Sequence, residues 1–224
     1  MKNIFSTLNF QLNMRFLFLI IIRLLITTNV PAQTVNVDAV IEKTSKTYEA
    51  WGGAFIKFTA QLRNEMNGAT ESFEGTVRMK KNKFVLTTPD MTVWFDGATQ
   101  WTYMPRIEEV NIVTPSDEDL RVMNPVILLQ DYKKDFNVAC IGESTSVNAR
   151  MAYDLVFTPK KKNDIEKIEI QIEKSTTLPA KLVVTMRNQV LITVINGMKA
   201  ETLSDGIFTF PATSFPNAEI IDLR

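Results

Sequence analysis

IKFTAQLR at residues 56–63 and FEGTVRMK at residues 73–80 alternate apolar and polar side chains on either side of an Asn67-Gly68 loop. Successive side chains of a strand point to opposite faces, so a period of two describes a strand with one greasy and one wet side. Ile56, Phe58, Ala60 and Leu62 share one face, against Lys57, Thr59, Gln61 and Arg63. Phe73, Gly75, Val77 and Met79 repeat the pattern against Glu74, Thr76, Arg78 and Lys80. Two such runs joined by a glycine-containing loop predict a long antiparallel hairpin.

Downstream, short strands are predicted at residues 84–88, 92–96, 99–104 and 109–113, with turns at Pro89-Asp90, Asp96-Gly97 and Pro105-Arg106. That close spacing predicts one continuous meander. Upstream, Val37, Val40, Ile41, Thr44 and Tyr48 recur every three or four residues, an amphipathic helix stopped by Gly52-Gly53. A second helical stretch is expected from Ser116 to about Lys134, opened by a Ser116–Asp119 capping box and interrupted at Pro125. Strands resume at residues 136–141, 152–157, 165–173, 181–186, 189–195 and 208–210, with turns at Asn163-Asp164, Thr177 to Pro179, Arg187-Asn188 and Asn196-Gly197.

The expected class is α+β, mainly β: one curved antiparallel sheet of ten or eleven strands, an unclosed barrel with short helices over its concave face. Too few helices are available to cover so many strands. Curling the sheet makes its greasy face concave, and the space under the helices is then either an apolar cavity or a filled core. Periodicity alone leaves both open.

The chain ends and the composition narrow the function. Lys2 and Arg15 precede an apolar run from Phe16 to Ile26, and Val30-Pro31-Ala32-Gln33 follows as a small-residue exit. That is the layout of a cleaved secretory signal over residues 1–33, leaving 34–224 as a single domain and an exported product. Without Lys2, Arg15 and Arg23 the remainder holds 22 basic and 25 acidic residues, a net charge of −3. This balance lacks the footprint of a nucleic-acid binder. The lone Cys140 excludes an internal disulfide framework and reads as a small buried hydrophobe. There are no histidines, which removes Ser-His-Asp and Cys-His catalysis and nearly all zinc sites. The remaining acidic clusters, Glu108-Glu109, Asp117-Glu118-Asp119 and Asp164/Glu166/Glu169, have structural readings. Asp117 to Asp119 suit a helix start, and Glu166, Glu169 and Glu173 suit a solvated strand face. No catalytic residue, metal or cofactor is expected; the chain reads as a non-enzyme.

Further along the same meander, residues 73–84 (FEGTVRMKKNKF), 95–105 (FDGATQWTYMP) and 108–115 (EEVNIVTP) resemble the outer-membrane lipoprotein carrier family, LolA. NPVILL at 124–129, LVFTPK at 155–160 and IFTFP at 207–211 match it in order, over essentially the whole mature chain. The resemblance implies a periplasmic carrier that holds lipoprotein acyl chains and shuttles them from the inner to the outer membrane. The implied partners are an inner-membrane releasing transporter and an outer-membrane acceptor, with a monomeric carrier between them. The alternative is an envelope lipid-binding or regulatory module of the same fold without lipoprotein cargo.

On this reading the acyl-chain wall comprises Ile56, Phe58, Phe73, Val77, Met79, Phe84, Leu86, Val93, Phe95, Trp101 and Tyr103. Ile127, Leu128, Leu155 and Phe157 join it from the lid and later strands. The phase at Val93/Phe95 and at Trp101/Tyr103 stays open, and Trp101 fits a core outside the cavity equally well. Family members often carry an arginine that latches the lid. Lys81 falls nearest to it, and a lysine lacks the planar fork.

Overall fold

The computed structural model describes residues 35–116, 119–120 and 125–224, apart from the side chains of 125–127, 130 and 131. The expected signal, Asp117, Glu118, the run before Pro125 and the Ile127 side chain lie outside the described residues.

Helix α1 spans Val37–Trp51. Asn36 caps it by accepting a hydrogen bond from the Ala39 amide at 3.0 Å, and Gly52 ends it at φ +67°, where a side chain would be strained. Its buried stripe is Ile41, Thr44 and Tyr48, in line with the sequence periodicity. The capping box at Ser116 is formed: the Asp119 amide donates to Ser116 Oγ at 3.2 Å, and the Ser116 amide donates to Asp119 Oδ2 at 3.2 Å. Helix α2 spans Pro125–Asp135. Pro125 therefore opens a helix, where its missing N–H breaks no hydrogen bond. Asp38 ties α1 to α2 by accepting from the Tyr132 hydroxyl and, at 2.7 Å, from Lys133.

Twelve strands form one open, curved sheet: β1 (Ala54–Asn64), β2 (Thr70–Lys80), β3 (Lys83–Thr87), β4 (Thr92–Phe95), β5 (Gln100–Met104), β6 (Glu109–Val113), β7 (Phe136–Thr145), β8 (Met151–Pro159), β9 (Ile165–Glu173), β10 (Pro179–Met186), β11 (Gln189–Ala200) and β12 (Glu219–Asp222). Their order is β12-β6-β5-β4-β3-β2-β1-β11-β10-β9-β8-β7, so two meanders meet where β1 pairs with β11. All pairs are antiparallel except β12 on β6.

Three expectations about β7, β11 and the C-terminal segment need correction. Asn196-Gly197 is a β-bulge inside β11: Lys57 faces Gly197 while Phe58 faces Ile195, leaving Asn196 as the extra residue. Its side-chain amide donates to Thr59 Oγ1 at 2.6 Å. Residues 208–210 form no strand; Asp205–Phe208 is a 3-10 turn, and the last strand is β12. Cys140 is only half-buried, because β7 lies at the edge of the sheet.

The helix-bearing inner face carries two apolar clusters. Ile41, Leu128, Leu129 and Tyr132 pack on Phe157, Ile168, Ile170 and Val184, filling the β7–β10 end. Tyr48 packs with Ala54, Ile56, Val77, Met79, Phe84 and Phe95 at the β1–β4 end. A third cluster lies on the outer face, where Trp94 and Val110 are covered by Phe210 and Phe215 from the C-terminal segment. The Trp94 ring meets Phe210 edge-on at 5.4 Å, and Tyr103 lies 4.5 Å from Phe215. Lys80 donates to the Leu203 carbonyl at 3.0 Å and to Asp205 at 2.9 Å, which anchors this cover to β2.

Candidate functional site: an apolar cavity on the inner face

Cross-strand registers place the inner side chains in rows. One row runs Ala54, Met79, Phe84, Phe95, Gln100; the next runs Ile56, Val77, Leu86, Val93, Thr102. Between these rows and the inner side chains of β9–β11 lies a cavity of about 290 Å³. Ile56, Phe58 and Ala60 form its floor on β1, with Phe73, Val77 and Met79 beside them on β2. Leu86, Met91 and Val93 form one wall, and Ile170, Pro179, Leu182, Leu191, Thr193 and Ile195 the other. Gln100 and Thr102 complete it from β5, and the lining among the described residues contains no charged side chain.

Space for Phe58 is made by Gly75, which faces it across β1 and β2. A Cβ at Gly75 would sit 2.4 Å from Phe58 Cζ and 2.8 Å from the Thr87 carbonyl. Gly75→Ala must therefore push the ring into the cavity. Thermal unfolding should show a loss of about 1–3 kcal/mol from overpacking. A variant as stable as the native protein would mean that the ring relaxes without strain.

Of the fifteen side chains expected at the wall, Ile56, Phe58, Phe73, Val77, Met79, Leu86 and Val93 line the cavity. Phe84 and Phe95 are fully buried behind it, their rings 5.4 Å apart. Leu128, Leu155 and Phe157 belong to the filled β7–β10 end. Trp101 and Tyr103 are corrected to the opposite face, since Trp101 pairs with Trp94 and both lie under the C-terminal cover. Gln100 and Thr102 hold the inward positions of β5 instead. The β9–β11 wall was missed, although its alternation is as regular as that of β1. Lys81 is exposed in the β2–β3 turn at φ +57°, with no hydrogen bond or ion pair among the described residues.

A wider groove of about 850 Å³ lies on the outer face of β1 and β8–β11. It is lined by Arg63, Asp154, Lys167 and Glu169, with Lys167 and Glu169 paired at 2.9 Å. Charged, open walls of this kind do not suit a hydrocarbon chain.

Glu173 was expected on a solvated face but is only 3% exposed. It accepts from Ser146 at 2.9 Å, Asn148 at 2.8 Å, Arg150 at 2.9 Å and Thr176 at 3.0 Å. Burial works against its charge, and these four donors outweigh burial, holding its pKa at about 2. The group joins the β7–β8 loop to the β9–β10 turn and is saturated with structural bonds. Among the described residues no three Cys, Asp or Glu side chains converge as a metal site, and no helix is long and apolar enough to cross a membrane.

Comparison with solved structures finds the same fold in an uncharacterized conserved protein from Thermus thermophilus. The TM-score is 0.51 at 12% identity, covering 81% of this chain and 96% of that one. A LolA superfamily protein from Nitrosomonas europaea aligns at TM-score 0.46 and 14% identity, covering 79% and 98%. The lipoprotein LppX from Mycobacterium tuberculosis aligns at 0.44 and 10%, covering 75% and 98%. At such identities the likeness concerns the fold alone. Comparison with curated proteins found no match. The family model described as outer membrane lipoprotein carrier protein LolA matches residues 29–188, and the chain belongs to that family.

Proposed function

We propose that this protein is an exported periplasmic carrier, which takes lipoprotein acyl chains into the inner-face cavity and delivers them from the inner to the outer membrane. The observation that carries the reading is an uncharged, apolar cavity of about 290 Å³ on a sheet of this family. An inner-membrane releasing transporter and an outer-membrane acceptor are the partners that such a route requires. The carrier itself works without catalysis, by burying hydrocarbon.

Burying a palmitoyl-length chain gains on the order of 10 kcal/mol, at about 0.8 kcal/mol per methylene. A carrier that kept all of that gain would not release its cargo. The cavity sits at the bottom of the ~300–1,000 Å³ range for ligand pockets. A multiply acylated anchor therefore needs it to widen, and separating the helices from the sheet offsets part of the gain. Closure and cargo compete for one apolar surface, which keeps the affinity in a range that permits hand-over.

Mass spectrometry of protein purified gently from an envelope that makes lipoproteins should find acylated peptide bound. A fluorescent fatty-acyl probe should be displaced by the same ligand. Protein that carries no acyl species and fails to bind the probe would overturn the reading.

A further inference from the structure

A second space lies past the deep end of the cavity. It measures about 230 Å³ and is bounded by Tyr48, Gly53 and Ala54, where α1 gives way to β1, and by Met79, Lys80 and Lys81 at the end of β2. Tyr48, Ala54 and Met79 are buried and supply its apolar floor, while Lys81 is exposed at its rim. Among the described residues Met79 alone lines both this space and the cavity of about 290 Å³.

The two spaces follow one another along the strands. Phe73, Met91 and Leu191 line the cavity and retain exposure, so its mouth lies on their side. Met79 belongs to the opposite, closed row, with Ala54, Phe84, Phe95 and Gln100, all buried. Its neighbour across β1 is Ala54, the smallest side chain of that row, and its neighbour across β3 is Phe84. An unbranched thioether has three rotatable bonds and adapts to what touches it. Met79 is therefore the member of the closed row best able to move without strain, and it stands where the two spaces meet.

We infer that Met79 is a gate between the two spaces: its side chain closes the cavity behind a short acyl chain and swings aside for a long one, whose far end enters the space beside Tyr48 and Ala54. The inference rests on the carrier reading and adds to it a residue that sets chain-length selectivity. Each methylene buried past the gate raises the affinity about four-fold. A chain that stops short of Met79 gains nothing from the second space, so the length dependence of binding reports whether the gate opens.

The test compares stearate with laurate by displacement of a fluorescent acyl probe, and the readout is the ratio of their affinities. Met79→Phe, which puts a rigid ring at the passage, should lower the stearate-to-laurate ratio at least about ten-fold, the loss of roughly two buried methylenes, with laurate still bound. Met79→Ala, which leaves the passage open, should raise the ratio about four-fold, the gain of one methylene. A ratio within about two-fold of native in both variants overturns the gate and leaves the carrier intact. A second measurement needs no variant: a diazirine at the far end of a stearoyl chain should label Tyr48 or Ala54 of the native protein on irradiation, as read by mass spectrometry of the digest. Labelling confined to residues around the first cavity overturns the gate even where the variants fail to fold. Native protein that binds neither fatty acid overturns gate and carrier together.

Discussion

Replacing Glu173 by glutamine is expected to lower the unfolding free energy at pH 7 by on the order of 3 kcal/mol. A carboxyl held at about 2 instead of its ordinary 4.5 carries roughly that much stability. The substitution keeps the shape but turns one acceptor oxygen into a donor. It must then face either Arg150 and Thr176 or Ser146 and Asn148, all of which donate to Glu173 in the native protein. The effect has a definite pH dependence. The folded-state pKa is depressed, so the contribution is complete above about pH 4.5 and disappears as pH falls towards about 2. Urea unfolding of native and E173Q proteins should therefore differ most at neutral pH and converge below pH 4. A gap that is constant across this range would show that the charge contributes nothing beyond packing.

Thr193→Glu is expected to weaken acyl-probe binding at least 100-fold. Thr193 lies on the cavity wall, between Ala60 of β1 and Leu182 of β10. With the cavity unliganded, a carboxylate there can keep water in a space of about 290 Å³, so the fold survives. A hydrocarbon chain must expel that water and leave the charge unpaired, which costs several kcal/mol, and each 1.4 kcal/mol is a factor of ten in affinity. Thr193→Val, which keeps the shape and removes the hydroxyl, should bind as well as native or better. Binding by the glutamate variant within three-fold of native would place the acyl chain somewhere else.

The two long hairpin strands were legible because each has one apolar side and one charged side. Lys57, Arg63, Glu74 and Arg78 leave no choice about which face of β1 and β2 meets water. The site residues drawn from those strands, Ile56, Phe58, Val77 and Met79, accordingly line the cavity. In β5 the same rule misleads. Gln100, Thr102 and Met104 alternate with Trp101 and Tyr103, and the aromatic set looks like the inner one. It faces outward because Phe210 and Phe215, more than a hundred residues later, supply an apolar cover there. Glu173 shows the same limit from the polar side: four donors drawn from two loops make burial tolerable, and alternation along one strand carries no trace of them.

Local sequence determined what depends on neighbours within a few positions: the end of α1 at Gly52, the cap at Ser116, the strand periods and most of the hairpin turns. Tertiary structure alone decided which side of β5 is inside, and that α2 fills one end of the inner face while the other keeps a cavity. The physical reason is that period two gives a strand two faces without labelling them. The label comes from what packs on each face, and in this chain those partners are distant in sequence.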